Sequence, residues 1–591
     1  MKAISPLRVL LLCATGSGAL LGRAAADVPD MTKGEARPAN ATHDWALGAT
    51  GARGWMHCEK MVTVDARQIL VTEVAPGSPS DGLLEVGDVI LGVGGEPFAG
   101  DPRVEFGRAL GKAESRLGKG RLPLLRWRSG KKKRVVLRLS VLGGYSETAP
   151  YDCPKSKRIL KAGCAALAAS MREEGYDPNP IPRCLNALAL LASQERTYLP
   201  LIEREAKWAA DFSATSFQTW YYGYVCIFLS EYVMATGDRS VLDGLWRLAL
   251  DAAEGQSRVG SWGHRFAQPS GRLAGYGMMN SPGVPLTIGL VLARSAGVKD
   301  EKVDVAIERS LALLRFYVGK GAIPYGDHHP WIQTHEDNGK CGMGAVLFDL
   351  VGEAERATFF SKMSLASHGA ERDTGHTGNF FNLLWALPGV ARLGEHATGA
   401  WMAEYGAWYF DLARQWDGTF RHQGPPEERS DSYSGWDATG AYLLAYALPL
   451  RSLALTGRRK SAVSPLDEEQ AARVVADGRG WDNRDRRSHY DALDDEELLR
   501  RGQSWSPVVR ERAAMAMKRD PAAFVPVLVT QLSSSSLVAQ YGACQAFTHL
   551  GRAGAPAVEA LQACLASDDL WLRVKAAEAL GKIGKAALPA L

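Results

Sequence analysis

Nowhere in the 591 residues does a Cys-x-x-Cys pair or a His-Glu-x-x-His run occur, and no long apolar stretch follows the first thirty residues. The first two absences exclude zinc-ribbon, dithiol and helix-borne zinc-protease motifs. The third excludes a later bilayer-spanning helix, which needs roughly 20 apolar residues. Charge of one sign is also scarce. The formal net charge is +4, and taking away Lys2, Arg8 and Arg23 of the leader brings it to +1. Bulk electrostatics therefore give no support to nucleic acid as a partner.

What remains is an ordinary globular composition, 46% hydrophobic and 23% charged, on a chain long enough for three or four domains at about 100–200 residues each. The start, "MKAISPLRVLLLCATGSGALLGRAAADVPD", has a basic end, an apolar run from Val9 to Leu21, and small residues Ala24 and Ala26 at a cleavage position. Residues 1–26 read as a signal peptide, so the protein is expected to be exported, periplasmic or extracellular, with no stable membrane span. Leu12 before Cys13 argues against lipid attachment there. The other eight cysteines are scattered. Disulfides are permitted in an oxidising compartment but not demanded, and these cysteines read mostly as small buried apolar residues.

Residues 66–98, "ARQILVTEVAPGSPSDGLLEVGDVILGVGGEPF", place alternating apolar runs on either side of a Gly/Pro-punctuated turn. A helix at about 102–113 and a hairpin from 122 to 139 follow. The run GSP-x-D-G-x-L-x-x-GD-x-I-L-x-V-x-G resembles a PDZ domain, which would cover residues 45–142. That resemblance implies capture of an extended peptide by strand addition beside the helix near Val104–Leu110. The implied peptide-binding loop is Gly51, Arg53, Gly54, Trp55 and Met56. The basic tip Lys131–Arg134 reads as a solvated hairpin turn.

After a linker at 143–155, apolar residues recur at helical spacing across residues 156–457. Twelve helices are expected, at 156–174, 181–193, 198–211, 217–236, 239–254, 282–296, 300–318, 341–351, 354–368, 377–393, 398–415 and 436–456. Their connections alternate in length. Short turns join one pair to the next, while long loops at 255–281, 319–340, 369–376 and 416–435 lie within pairs and would share one rim of a closed ring. Several loops carry glycine, an aromatic and then histidine, as in "GSWGH", "GAIPYGDH" and "DGTFRH", and "GHTGNFF" adds His376. This six-hairpin pattern, with "QWDGTF" at 415–420, resembles the α/α-toroid superfamily of terpenoid cyclases and protein prenyltransferases. The superfamily's chemistry does not carry over. The ring lacks Asp-x-Asp-Asp, and Cys341 is followed by Gly342 and Met343 rather than by the Glu-Gln of thioester proteins. Asp337, Cys341 and His376 supply ligand types for zinc but not the prenyltransferase spacing, so no cofactor and no metal ligand is assigned.

The densest polar stretch, "YGDHHPWIQTHEDNGKCG" at 325–342, is open to three readings: a metal site, a catalytic loop, or a loop that caps helix ends. His328, His376, Asp337, Asp437 and Tyr433 are the catalytic candidates at the rim, since histidine beside a carboxylate can move protons near neutral pH. Ten of the sixteen tryptophans lie between Trp208 and Trp436, which suits either helix packing or sugar stacking.

A second linker spans 458–495. From 496 to 591, "LVAQYGACQAFTHLG" and "LWLRVKAAEALGKIG" repeat at a period of 33, preceded by "SPVVRERAAMAM". This resembles HEAT repeats, an α-solenoid, with the array expected to be incomplete at the C-terminus. The expected class is thus multidomain and mainly α: a small β-rich PDZ domain, a six-hairpin toroid and a C-terminal solenoid. The module order resembles that of large exported bacterial proteins, a family whose membership fixes no activity. With two of three modules belonging to binding folds, the preferred function is an exported scaffold that captures peptides or protein partners. The alternative is a toroid enzyme acting on a glycan or other extracellular polymer through a His/carboxylate rim site.

Overall fold

The computed structural model describes residues 28–39, 41, 43–59, 61–373, 380–423, 435–480 and 489–590. The signal-peptide reading therefore lies outside the described residues. The chain is mainly helical with a small N-terminal sheet, in keeping with the multidomain, mainly α class expected. Among the described residues no helix is long and apolar enough to cross a membrane.

The sheet is antiparallel and contains β1 (Trp45–Ala46), β2 (Ala52–Trp55), β3 (Ile69–Val74), β4 (Val89–Val93), β5 (Glu96–Pro97), β6 (Arg121–Arg128) and β7 (Lys131–Arg138). Its order is β1-β2-β3-β4-β6-β7, with β5 beside β4. Alternation in β3 turns Ile69 and Val71 inward, as a half-buried strand requires. Helix α1 (Pro102–Glu114) starts where Asp101 accepts from the Arg103 amide at 2.9 Å and proline occupies the first turn, two start signals that need no tertiary help.

The helices between Pro154 and Ala447 fall into a more buried, inner set and a less buried, outer set. The inner helices Gln218–Thr236 and Asn280–Ala296 are buried on nearly every face, which is why they lack an amphipathic stripe. Outer helices such as Leu242–Glu254 bury one face only. Each inner helix packs on the next: Pro180–Ala192, Gln218–Thr236, Asn280–Ala296, Lys340–Leu350, the broken pair Phe380–Leu384 and Ala386–Val390, and Thr439–Ala447, which returns to Pro180–Ala192. Close approach depends on glycine. A Cβ on Gly289 would meet Cys226 Cβ at 2.8 Å, and one on Gly440 would meet Asn186 Cα at 2.6 Å, where the Gly440 amide also donates to Asn186 Oδ1.

Several expected boundaries shift. Residues 398–415 divide into Glu395–Trp401, a π-turn at Met402–Gly406 and Ala407–Ala413. The stretches expected as linkers are packed. Residues 143–155 bury Ala149 and Cys153, and 458–495 contains helix Glu468–Asp477, closed by an Asp467/Gln470 capping box and lying on the outer helices.

From Asp495 onward, helices stack in pairs. Ser506, Ser536 and Asp569 cap successive helices. Four residues later Arg510, Gln540 and Arg573 reach back to carbonyls of the preceding turn: Ser504 at 2.7 Å, Leu532 at 3.0 Å and Ser567 at 2.6 Å. The repeated arginine or glutamine thus ties the start of each helix to a carbonyl at or just after the end of the preceding one.

Buried charges join the sheet to the ring. Arg103 donates to both oxygens of Asp373, at 2.7 and 3.2 Å, amid Trp45, Trp408 and Tyr409. Lys155 pairs with Asp411 at 2.6 Å and Glu114 at 3.0 Å, and Arg414 also pairs with Glu114. Burial pushes Asp411 above the usual carboxylate range. At Glu114 the same burial is outweighed by Arg414 and Lys155, which hold it below that range.

Candidate functional site

The implied peptide edge is already paired. β1 hydrogen-bonds along β2, with Trp45 opposite Gly54 and Ala46 opposite Arg53, while β3 pairs the other side. Strand addition beside β2 therefore requires β1 to leave, and β1 is anchored by a buried Trp45 and by Gln423 Oε1, which accepts from the Ala46 amide at 3.2 Å. Helix α1 is covered too, because a Cβ on Gly107 would meet the Trp408 carbonyl at 2.6 Å. Gly54, Trp55 and Met56 are buried in the sheet, whereas Gly51 and Arg53 face a groove toward the ring.

The long loops meet the N-terminal ends of inner helices, but their histidines disperse. His264 accepts from Trp220 Nε1 at 3.1 Å. Ring contacts run on from Trp220 to Phe381, Trp436, Phe380 and His422, spaced 5.2 to 6.3 Å. This aromatic chain packs across the inner helices. His422 is buried with neither ring nitrogen hydrogen-bonded among the described residues. Burial, with His43 adding to it, lowers its pKa to about 3, so it stays neutral near pH 7. His328 is exposed on its loop, and Asp337 pairs with buried Lys340 at 2.9 Å. His376 and Tyr433 lie outside the described residues. Among the described residues no hydrogen bond or ion pair joins His328, Asp337 and Asp437 to one another.

Within "YGDHHPWIQTHEDNGKCG" one acid caps a helix start, and it is Glu336 rather than Asp337. Glu336 accepts from the amides of Cys341 and Gly342, both at 3.0 Å, at the start of Lys340–Leu350. His335 Nε2 meets Ser506 Oγ at 2.9 Å and its Nδ1 lies 3.6 Å from Glu371. That serine–histidine–glutamate set is fully buried at the junction with the C-terminal helices, and Ser506 Oγ also caps the next helix. It serves packing, since no substrate atom has access. Burial pushes the Cys341 thiol well up. Among the described residues no group of three metal-binding side chains is placed to hold an ion, and none of the eight cysteines is in a disulfide.

Asp437 is the catalytic candidate that lines a cavity. A groove of about 620 Å3 lies between the sheet and the ring, with Arg53 and Glu73 on one wall and Asp177, Trp416, Arg421 and Asp437 on the other. Asp437 Oδ2 and Tyr176 OH share the Asn186 amide, at 2.9 and 3.0 Å, while Oδ1 caps Thr439 at 3.0 Å. Asp177 is held by Arg183 at 2.8 Å. Trp416 projects from the turn 414–420, 44% exposed. That turn is braced by Asp417 Oδ1, which accepts from the Thr419 amide and hydroxyl at 2.9 and 2.7 Å. Gly51 sits beneath the indole at φ +74°, where a Cβ would come within 2.9 Å of Trp416 Cδ1. Loop residue Gly51 and the "QWDGTF" turn were both visible in the sequence. Nothing local to either stretch says that they meet. The partners Glu73, Tyr176, Asp177 and Arg421 carried no sequence signal.

No curated protein matches the chain. Residues 156–457, slightly more than half of the chain, match the model described as a domain of unknown function (DUF6288), and the chain belongs to the DUF6288 family.

Proposed function

We propose that this chain is an exported binding scaffold in which a PDZ-like sheet, an α/α-toroid-like ring and a HEAT-like array act as one rigid body. Its ligand is an extended polymer held in the groove between sheet and ring. The observation that carries this is the groove itself, walled from both modules and fixed by buried ion pairs rather than by a flexible tether. A volume of about 620 Å3 is within the usual range for a ligand site. The paired β2 edge speaks for ligand capture in the groove instead of strand addition, and the HEAT-like surface is left for protein partners. A second reading, an enzyme acting on a glycan, is favoured by the carboxylates Asp177 and Asp437 in one groove.

Full-length protein on a glycan array and on a C-terminal peptide array tests the proposal. A polymer retained by the wild type and lost by Trp416→Ala, with its chain length unchanged after prolonged incubation, is the expected result. Retention that ignores Trp416→Ala, or no retention on either array, overturns it. Shortening of the polymer that stops in Asp437→Asn transfers the assignment to the enzyme reading.

A further inference from the structure

Trp416 borders a second cavity, and that cavity has the opposite electrostatic character. It encloses about 430 Å3 on the other side of the 414–420 turn, between the sheet and helix Pro154–Ser170. Three guanidinium groups from three elements line it: Arg138 of β7, Arg158 of that helix, and Arg414 at the end of Ala407–Ala413. Of the two acids present, Glu114 offsets Arg414 in the same wall, which leaves Arg138 and Arg158 as the uncompensated cations. Glu114 pairs with Lys155 and Arg414, and Asp417 Oδ1 accepts from the Thr419 amide and hydroxyl. Among the described residues, Arg158 donates to the Leu142 carbonyl and pairs with no carboxylate, and Arg138 forms no ion pair.

Two further polar groups in this wall lack partners. Ser78 and Arg414 are each 6% exposed, and neither Ser78 Oγ nor Arg414 Nε has a hydrogen-bond partner among the described residues. A buried donor left unmet costs stability, so groups of this kind in a cavity wall are explained by a ligand or water that meets them. Their chemistry, hydroxyl and guanidinium beside two further arginines, suits a carboxylate or sulfate group.

Resting on the groove reading above, we infer that the two cavities are one binding track for an acidic oligosaccharide, with a sugar ring on the Trp416 indole and an anionic substituent reaching Arg138 and Arg158. A sugar fits the walls better than a peptide. The first compartment offers the acceptors Glu73, Asp177 and Asp437 and the donors Arg53 and Arg421, which suits a ring bearing many hydroxyls. A peptide backbone finds no free edge at β2 to pair with.

The test is titration of full-length protein with a hexamer of galacturonic acid, its neutral galactose counterpart, a sulfated hexamer and an acidic hexapeptide, followed by calorimetry. Arg138→Gln and Arg158→Gln alter exposed side chains and leave the fold intact, as circular dichroism would verify. Each is expected to weaken the acidic hexamer about tenfold, in line with loss of one charge-assisted bond, while leaving any neutral-sugar binding unchanged. The uronate and sulfated arms identify which anion is preferred, and tight binding of either supports the inference. Equal affinity for neutral and acidic hexamers, insensitive to both variants, overturns it while the groove reading stands. Binding of the acidic peptide alone also overturns it. Loss of every ligand, with Trp416→Ala indistinguishable from wild type on the arrays, would instead overturn the groove reading.

Discussion

Replacing Asp373 by asparagine isolates what holds the sheet to the ring. The carboxylate and its partner Arg103 are 5% and 2% exposed, so the substitution keeps the shape but leaves a buried guanidinium without its counter-charge. Removing one member of a buried pair costs about 3–5 kcal/mol. Because the Lys155–Asp411–Glu114–Arg414 cluster remains, the loss should appear first as loosening of α1. At about 1.4 kcal/mol per factor of ten, amide exchange of residues 102–114 should accelerate by roughly a hundredfold or more. Hydrogen-exchange mass spectrometry reads this directly. The double variant Arg103→Met with Asp373→Leu should recover most of the protection, since apolar residues of similar size replace buried pairs at little cost. Acceleration below about tenfold in Asp373→Asn would refute the view that this pair anchors the sheet.

Glu231 is fully buried, and loss of solvent raises its pKa to about 7 even though it accepts from the Ala454 and Leu455 amides. A raised carboxyl contributes stability that is complete below its unfolded value of about 4.5 and lost as pH rises through about 7. The urea midpoint should therefore fall between pH 5 and 8 by the equivalent of about 3 kcal/mol, and Glu231→Gln should flatten that decline. Gly440→Ala drives a methyl into Asn186 where the ring closes and should cost about 1–3 kcal/mol, measured by denaturant unfolding. Gly581→Ala, in helix Leu570–Ile583 with open space around it, should stabilise by about 0.5–1 kcal/mol. A loss there would contradict the open surroundings. Ser506→Ala removes both a helix cap and the His335 contact. It should destabilise the C-terminal helices by about 1 kcal/mol or more, seen as faster exchange from residue 507 onward.

Much of the architecture was legible because it rests on local rules. The alternation of Ile69–Val74, the Asp101–Pro102 helix start, the 33-residue period and the unequal loop lengths each record a constraint acting within a few residues. Those constraints led to the run of helices from Pro154 onward. The capping reading of residues 325–342 came from Asp337 and Asn338 standing just before a helix, whereas the residue that caps is Glu336.

The site was a different matter. His328, Asp337 and Asp437 look equivalent in the sequence, yet one is exposed, one is ion-paired to a lysine, and one lines a groove. Pairing of Trp45–Ala46 with β2, burial of α1 on Ala407–Ala413, and the meeting of Gly51 with Trp416 join residues more than 360 positions apart in the last case. Local propensity and periodicity are blind to such distances, because burial, ionic partners and strand edges exist only once the chain has closed on itself. Helix, strand and turn were therefore written locally along this chain. Which edge is free, which acid faces solvent and where a cavity opens were decided by packing.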